Sequence, residues 1–194
     1  MQIAIIWQRF LPYHVARINH LWKTLTQLGH RLSAIEVASQ DASYGFPESV
    51  FSENNFKHIC CFPKISYHQL KANEIHIRLS GLLKELKPDL VFAPATPFPE
   101  GMAGFSYRLQ SGNRAVMMDD AWDHTDQRGR FIKEVKRLIN KNIDAVFIPA
   151  PSHLSYYMEM GFPKGRVIFG VYAVDNDYFS KMAEQIRADL RALD

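Results

Sequence analysis

The densest run of chemically capable side chains is Asp119-Asp120-Ala121-Trp122-Asp123-His124-Thr125-Asp126, four carboxylates and one imidazole in eight residues. It follows directly on the apolar run Ala115 to Met118. Oxygen ligands of this kind suit a hard cation, and a carboxylate of raised pKa suits general acid–base work. Acceptors beside an indole also suit sugar hydroxyls, which would use Trp122 and His124 for binding. Capping of a following helix explains Asp123 or Asp126, whose charge is favourable at a positive helix end. It does not explain Asp119 and Asp120 at the strand exit, and this pair is assigned the catalytic position. Asp119, Asp120, Asp123 and His124 together would serve a metal-dependent hydrolase. A metal centre needs more ligands in register than this spacing guarantees, so no metal is assigned.

A second candidate is Gln8-Arg9-Phe10-Leu11-Pro12-Tyr13-His14, after the first apolar run. A dinucleotide pyrophosphate needs glycines there so that backbone N–H groups can approach it, and none is present. Arg9 and His14 can instead act as substrate-binding residues that hold an anion beside a helix N-terminus; a solvated loop with a capping role is the plainer alternative. A third loop, Pro94 to Gly101, is stiffened by prolines and reads as a structural turn.

The stretch Arg128 to Asn142 carries Arg128, Arg130, Lys133, Lys136, Arg137 and Lys141 against one acid, Glu134. Phe131, Val135 and Leu138 recur at helical spacing and are expected to be its buried stripe. A basic amphipathic helix suits an anionic membrane surface or a phosphorylated lipid acceptor. A charge run of this kind is more often a solvated face, and that reading is preferred.

The elements that must position these residues alternate between short apolar runs and three-to-four spacing, the pattern of βαβ units. Strands are predicted at Ile3 to Trp7, Leu32 to Val37, Ile59 to Phe62, Leu90 to Ala93, Ala115 to Met118, Ala145 to Ile148 and Val167 to Val171. Helices between them carry Val15, Ile18, Leu21, Trp22, Leu25 and Leu28, then Ile75, Leu79, Leu82, Leu83 and Leu86, then Met102, Phe105 and Leu109. Ser152 is expected to cap a short helix and Gly161 to close it. A terminal helix bears Phe179, Met182, Ile186, Leu190 and Leu193 on one stripe. The long aromatic loop through Tyr44, Phe46 and Phe56 is long enough to suspect function. The expected fold is α/β, an open, mostly parallel Rossmann-like sheet of about seven strands with helices on both faces. Ligands of such sheets bind outside the carboxyl ends of the strands, where the polar loops fall.

Composition is that of a packed domain: 47% hydrophobic and 22% charged residues over 194 positions. Basic residues exceed acidic ones by only 23 to 20, so bulk charge does not favour nucleic acid as a partner. Cys60 and Cys61 are expected to be buried free thiols on opposite faces of a strand. With no long apolar span and no charged signal flank, the expected compartment is the cytoplasm, with peripheral membrane contact through the basic helix as an option.

From Asp144 onward, DAVFIPAPSHLSYYMEMGFPKGRVIFGVYAVDNDYF resembles the segment that closes the first domain of GT-B glycosyltransferases of the GT4 type. The matching residues are Gly161, Pro163, Lys164, Val174, Asp175 and Phe179. Upstream, Leu28-Gly29-His30 and Pro88-Asp89-Leu90-Val91 are similar as well, whereas the first loop lacks the glycine pair frequent in that family. The resemblance implies half of a GT-B fold, with residues 1–174 as the N-terminal domain and 175–194 as a linker helix to a nucleotide-sugar-binding domain. It further implies transfer of a sugar from a nucleotide-sugar donor to an unknown acceptor with retention of configuration. No obligatory metal and no cofactor in this chain are implied, the donor binding mainly the second domain. In that family a polar side chain after the fifth strand reaches the donor sugar, and here Asp119 or Asp120 occupies that point. The isolated chain is accordingly expected to bind acceptor and to be inactive. A self-sufficient α/β ligand-binding or regulatory module is the alternative, and it predicts a last helix packed wholly on its own domain.

Overall fold

The computed structural model describes residues 1–41, 56–126, 128–170, 172 and 176–191. Seven strands form one parallel sheet: β1 (Gln2–Trp7), β2 (Arg31–Gln40), β3 (Lys57–Ser66), β4 (Leu90–Pro94), β5 (Arg114–Met118), β6 (Ala145–Ile148) and β7 (Val167–Phe169). Their spatial order is β3-β2-β1-β4-β5-β6-β7, so the chain winds outward from β1 in one direction and from β4 in the other. Among the described residues six α-helices accompany them: α1 (Pro12–Gln27), α2 (Ala72–Leu86), α3 (Pro99–Ser111), α4 (Arg130–Asn140), α5 (Leu154–Glu159) and α6 (Asn176–Arg191). The open Rossmann-like sheet expected from the apolar periodicity is therefore the observed fold.

Alternation along β1 divides the core. Ile3 and Ile5 pack with Ile18 of α1, while Ala4 and Ile6 point to the other face and meet Ile75, Leu79 and Leu83 of α2. A third cluster under β5 and β6 joins Met117, Val146 and Ile148 to Tyr156 and Tyr157 of α5 and to Phe162. Cys61 is buried and Cys60 partly so, both free; burial pushes the Cys61 thiol up to about 12. The aromatic loop lies outside the described residues except for Phe56, which is buried against Trp22.

Helix α3 packs through its small residues. A Cβ on Gly101 would stand 2.1 Å from the Ala95 carbonyl oxygen, and one on Gly104 would stand 2.8 Å from the Ala93 Cβ. Close approach to backbone at Gly101 and to the Ala93 side chain at Gly104 lets α3 close over the exit of β4. Leu109, on the same helix, is exposed.

Two further expectations are corrected. Ser152 does not cap α5: it lies in a 3-10 turn, Pro151–His153, and its hydroxyl meets the neighbouring His153 Nδ1 at 3.2 Å. The apolar stripe of α4 is not buried either. Phe131, Val135 and Leu138 are exposed, while Lys136 and Asn140 face inward. Specific polar partners decide this: Asn140 Nδ2 donates to the Met160 carbonyl at 3.0 Å and Lys136 Nζ to the Tyr156 hydroxyl, also at 3.0 Å. On α6, Phe179, Met182 and Ile186 are exposed.

Candidate functional site

The carboxyl ends of β1, β4 and β5 open onto a cleft of about 390 Å3. It lies where parallel sheets of this kind bind ligands, beside the reversal of strand order between β1 and β4. Arg9, His14, Asp119 and Asp120 all line it, so four of the six candidate residues converge although more than a hundred positions separate the two pairs. Trp122 and His124 are not among the lining residues. They stack edge to face at 4.8 Å, with His153 beside the indole at 5.7 Å.

The first wall is the loop after β1. Phe10 buries its ring completely and donates its amide to Glu36 Oε2 at 3.1 Å. The other carboxylate oxygen of Glu36, Oε1, meets His58 Nε2 at 3.1 Å. The Leu11 amide donates to His14 Nδ1 at 3.0 Å. These amides are thus consumed by side chains of the protein itself, in place of the free N–H cradle that a pyrophosphate would require. His14 differs from its expected part in an anion site. Burial, reinforced by the Arg17 charge, lowers its pKa to about 3, so the imidazole is neutral. With Nδ1 accepting, its ring proton sits on Nε2.

The second wall is the start of α3, where the sequence points only to a stiff turn. Glu100 is completely buried at the helix's first turn and lines the cleft. Burial pushes its carboxyl up, against hydrogen bonds from its own amide, from Tyr67 and from Gln8. The Tyr67 hydroxyl donates to Glu100 Oε2 at 3.2 Å. An acid in the first turn of a helix directly after a strand's carboxyl end is the signal that marks Glu100 in the sequence.

The third wall is the exit of β5. The Asp119 amide still pairs with the Phe147 carbonyl at 3.2 Å, so the sheet register carries both aspartates to the rim. Asp120 is exposed and accepts a short hydrogen bond from the Tyr172 hydroxyl. Asp119 is half-buried; burial pushes its carboxyl up, while the Lys136 charge pulls it down. The Tyr157 hydroxyl approaches Asp119 outside good hydrogen-bond geometry, and Asp119 Oδ2 has no hydrogen-bond partner among the described residues.

Behind this rim runs a buried polar chain. Lys136 Nζ donates to the Tyr156 hydroxyl, which donates to Asp126 Oδ2 at 2.6 Å, while Arg128 Nε donates to Asp126 Oδ1 at 2.5 Å. Burial opposes ionisation of Asp126, but the bonds from Arg128 and Tyr156 outweigh it and hold the carboxyl below the usual carboxylate range. Asp126 is therefore a structural anchor. It does not cap α4, which begins after Gly129 with no side-chain cap. The acidic run is divided between cleft and scaffold, and among the described residues no three His, Cys, Asp or Glu side chains are grouped to hold a metal ion.

Solved structures share this fold. A 15% identical chain of sucrose-phosphate synthase from Thermosynechococcus elongatus superposes with a TM-score of 0.58, covering 98% of this chain and 99% of that one. The fold is that of one GT-B domain. UDP-GlcNAc 2-epimerase from Neisseria meningitidis, bound to UDP-GlcNAc, matches at 13% identity and a TM-score of 0.56, over 87% of this chain and 45% of that chain. MurG from Acinetobacter baumannii matches at 13% identity and 0.52, over 86% and 44%. The chain spans less than half the length of the epimerases it matches. No protein-family model matches the sequence, and no curated protein does.

Proposed function

We propose that this chain is the N-terminal, acceptor-side domain of a retaining, GT4-type glycosyltransferase, whose nucleotide-sugar donor is held mainly by a second domain. The observation that carries the reading is the convergence of Asp119, Asp120, Arg9 and His14 on one cleft at the carboxyl end of a GT-B-type sheet. Carboxylate acceptors, a guanidinium donor and a neutral imidazole N–H make a donor-and-acceptor set that fits the hydroxyls of a saccharide or of another polyhydroxylated acceptor. The exposed apolar stripe of α6 supports a further unit packing there and disfavours a self-sufficient module.

Departure of a nucleotide diphosphate needs preorganised positive charge where the leaving group gains negative charge. The Phe10 and Leu11 amides after β1 are engaged by Glu36 and His14. The second domain is assigned this role, and Asp119 or Asp120 is assigned hydrogen bonding to the transferred sugar from across the cleft. Calorimetry of the 194-residue chain with common nucleotide sugars should show dissociation constants weaker than micromolar. Micromolar binding of any of them overturns the assignment. A coding sequence that continues past Asp194 into a second α/β unit with paired glutamates is the expected genomic result.

A further inference from the structure

Helix α4 points its apolar stripe away from the protein. Phe131, Val135 and Leu138 fall at i, i+4 and i+7, and are 81%, 42% and 59% exposed. Single exposed hydrophobic residues are ordinary, but three stacked on the outer stripe of one helix are not. Rotation of the helix is fixed from the opposite side, by the buried contacts of Lys136 with Tyr156 and of Asn140 with Met160. The stripe therefore cannot turn inward without carrying Lys136 and Asn140 out and leaving the buried Tyr156 hydroxyl and Met160 carbonyl without these donors.

Cations flank that stripe. Arg130, Arg137 and Lys141 follow one another at i, i+7 and i+11 along its edge, all exposed. The only acid on the helix, Glu134, is paired with Arg137 at 3.6 Å. We propose that α4 docks this protein on an anionic lipid bilayer, with Phe131, Val135 and Leu138 entering the boundary of the acyl chains and Arg130, Arg137 and Lys141 meeting headgroup phosphates. A helix with one apolar and one basic face lies in the interface plane, its apolar side sunk about 5–10 Å. A second copy of the same face is a poorer occupant, because it would set cation against cation. The docking helix also carries Lys136, buried on its opposite side, whose charge acts on Asp119.

Sedimentation of the 194-residue chain with vesicles tests this, using phosphatidylcholine alone or with about 30% phosphatidylglycerol. Binding to the anionic vesicles is expected, and it should weaken as salt is raised. Phe131→Ser with Leu138→Ser, and separately Arg137→Glu with Lys141→Glu, should each reduce it by about tenfold or more. The charge reversal Lys23→Glu with Lys84→Glu, at exposed positions on α1 and α2, should leave it nearly unchanged. No binding to anionic vesicles, or binding that survives both α4 variants, overturns the proposal. So does a micromolar dimer that Phe131→Ser with Leu138→Ser dissociates, since a second copy would then cover the face.

Discussion

The Glu36 carboxylate, on β2, accepts the amide proton of Phe10 at 3.1 Å and so ties the second strand to the loop that forms the first wall of the cleft. Because the same side chain also meets His58, it braces the loop from β3 as well. Replacing Glu36 with Ala removes the acceptor from a buried N–H, at a cost of roughly 1–3 kcal/mol. Glu36→Gln keeps one oxygen and should lose less. Urea unfolding of the two variants measures the difference.

His14 makes stability fall in acid. Its folded pKa of about 3 lies below the ordinary value of 6.5, so the unfolded chain binds the proton more readily between those limits. The contribution is complete above about pH 6.5 and is lost toward pH 3, at up to about 1.4 kcal/mol per pH unit. Melting curves from pH 7 to pH 4 should show a slope that is reduced in His14→Gln.

Glu100 acts in the opposite sense. Its carboxyl titrates above its ordinary value in the fold, so its contribution is present below the unfolded pKa and is lost as pH rises through the folded one. The isosteric Glu100→Gln variant carries no charge to bury. Relative to wild type, its melting temperature should rise with increasing pH, and a constant offset across pH 4 to 8 would show that Glu100 is ionised without penalty.

Gly101→Ala should be strongly destabilising, because its methyl group would stand 2.1 Å from the Ala95 carbonyl oxygen. Overpacking typically costs about 1–3 kcal/mol, and here the obstacle is backbone, which relaxes poorly. Gly81→Ala, on α2 with open space around the new methyl, should be neutral or stabilising by up to about 1 kcal/mol. Chemical denaturation of the pair checks the contrast.

Within the proposed acceptor cleft, Tyr172→Phe removes the hydrogen bond to Asp120, whereas Asp120→Asn keeps one acceptor oxygen and loses the charge. In the proposed two-domain transferase, Asp119→Asn and Asp120→Asn should lower kcat/KM by about 10- to 1,000-fold if they touch the transferred sugar. Tyr172→Phe, which leaves both carboxylates in place, should cost less. A kcat/KM unchanged in both aspartate variants would remove the cleft from the reaction.

Local pattern was enough to find the seven strands and, apart from the exposed Leu28 past the end of α1, the inner faces of α1 and α2, because apolar periodicity reports burial directly when one face of an element is covered by hydrophobic neighbours. It also brought Asp119 and Asp120 to the rim, since residues after a parallel strand exit on the ligand side. Three things depended on contacts across the chain. His14 became a neutral acceptor because Leu11 and the surrounding rings enclose it, and Glu100 became a cleft residue because Gly101 lets α3 settle on the β4 exit. The face that α4 buries was decided by Tyr156 and Met160, whose polar atoms drew in Lys136 and Asn140 and left Phe131 outside. Periodicity along one helix shows that it has an apolar side. Which side turns inward depends on the polar partners that tertiary packing brings to it.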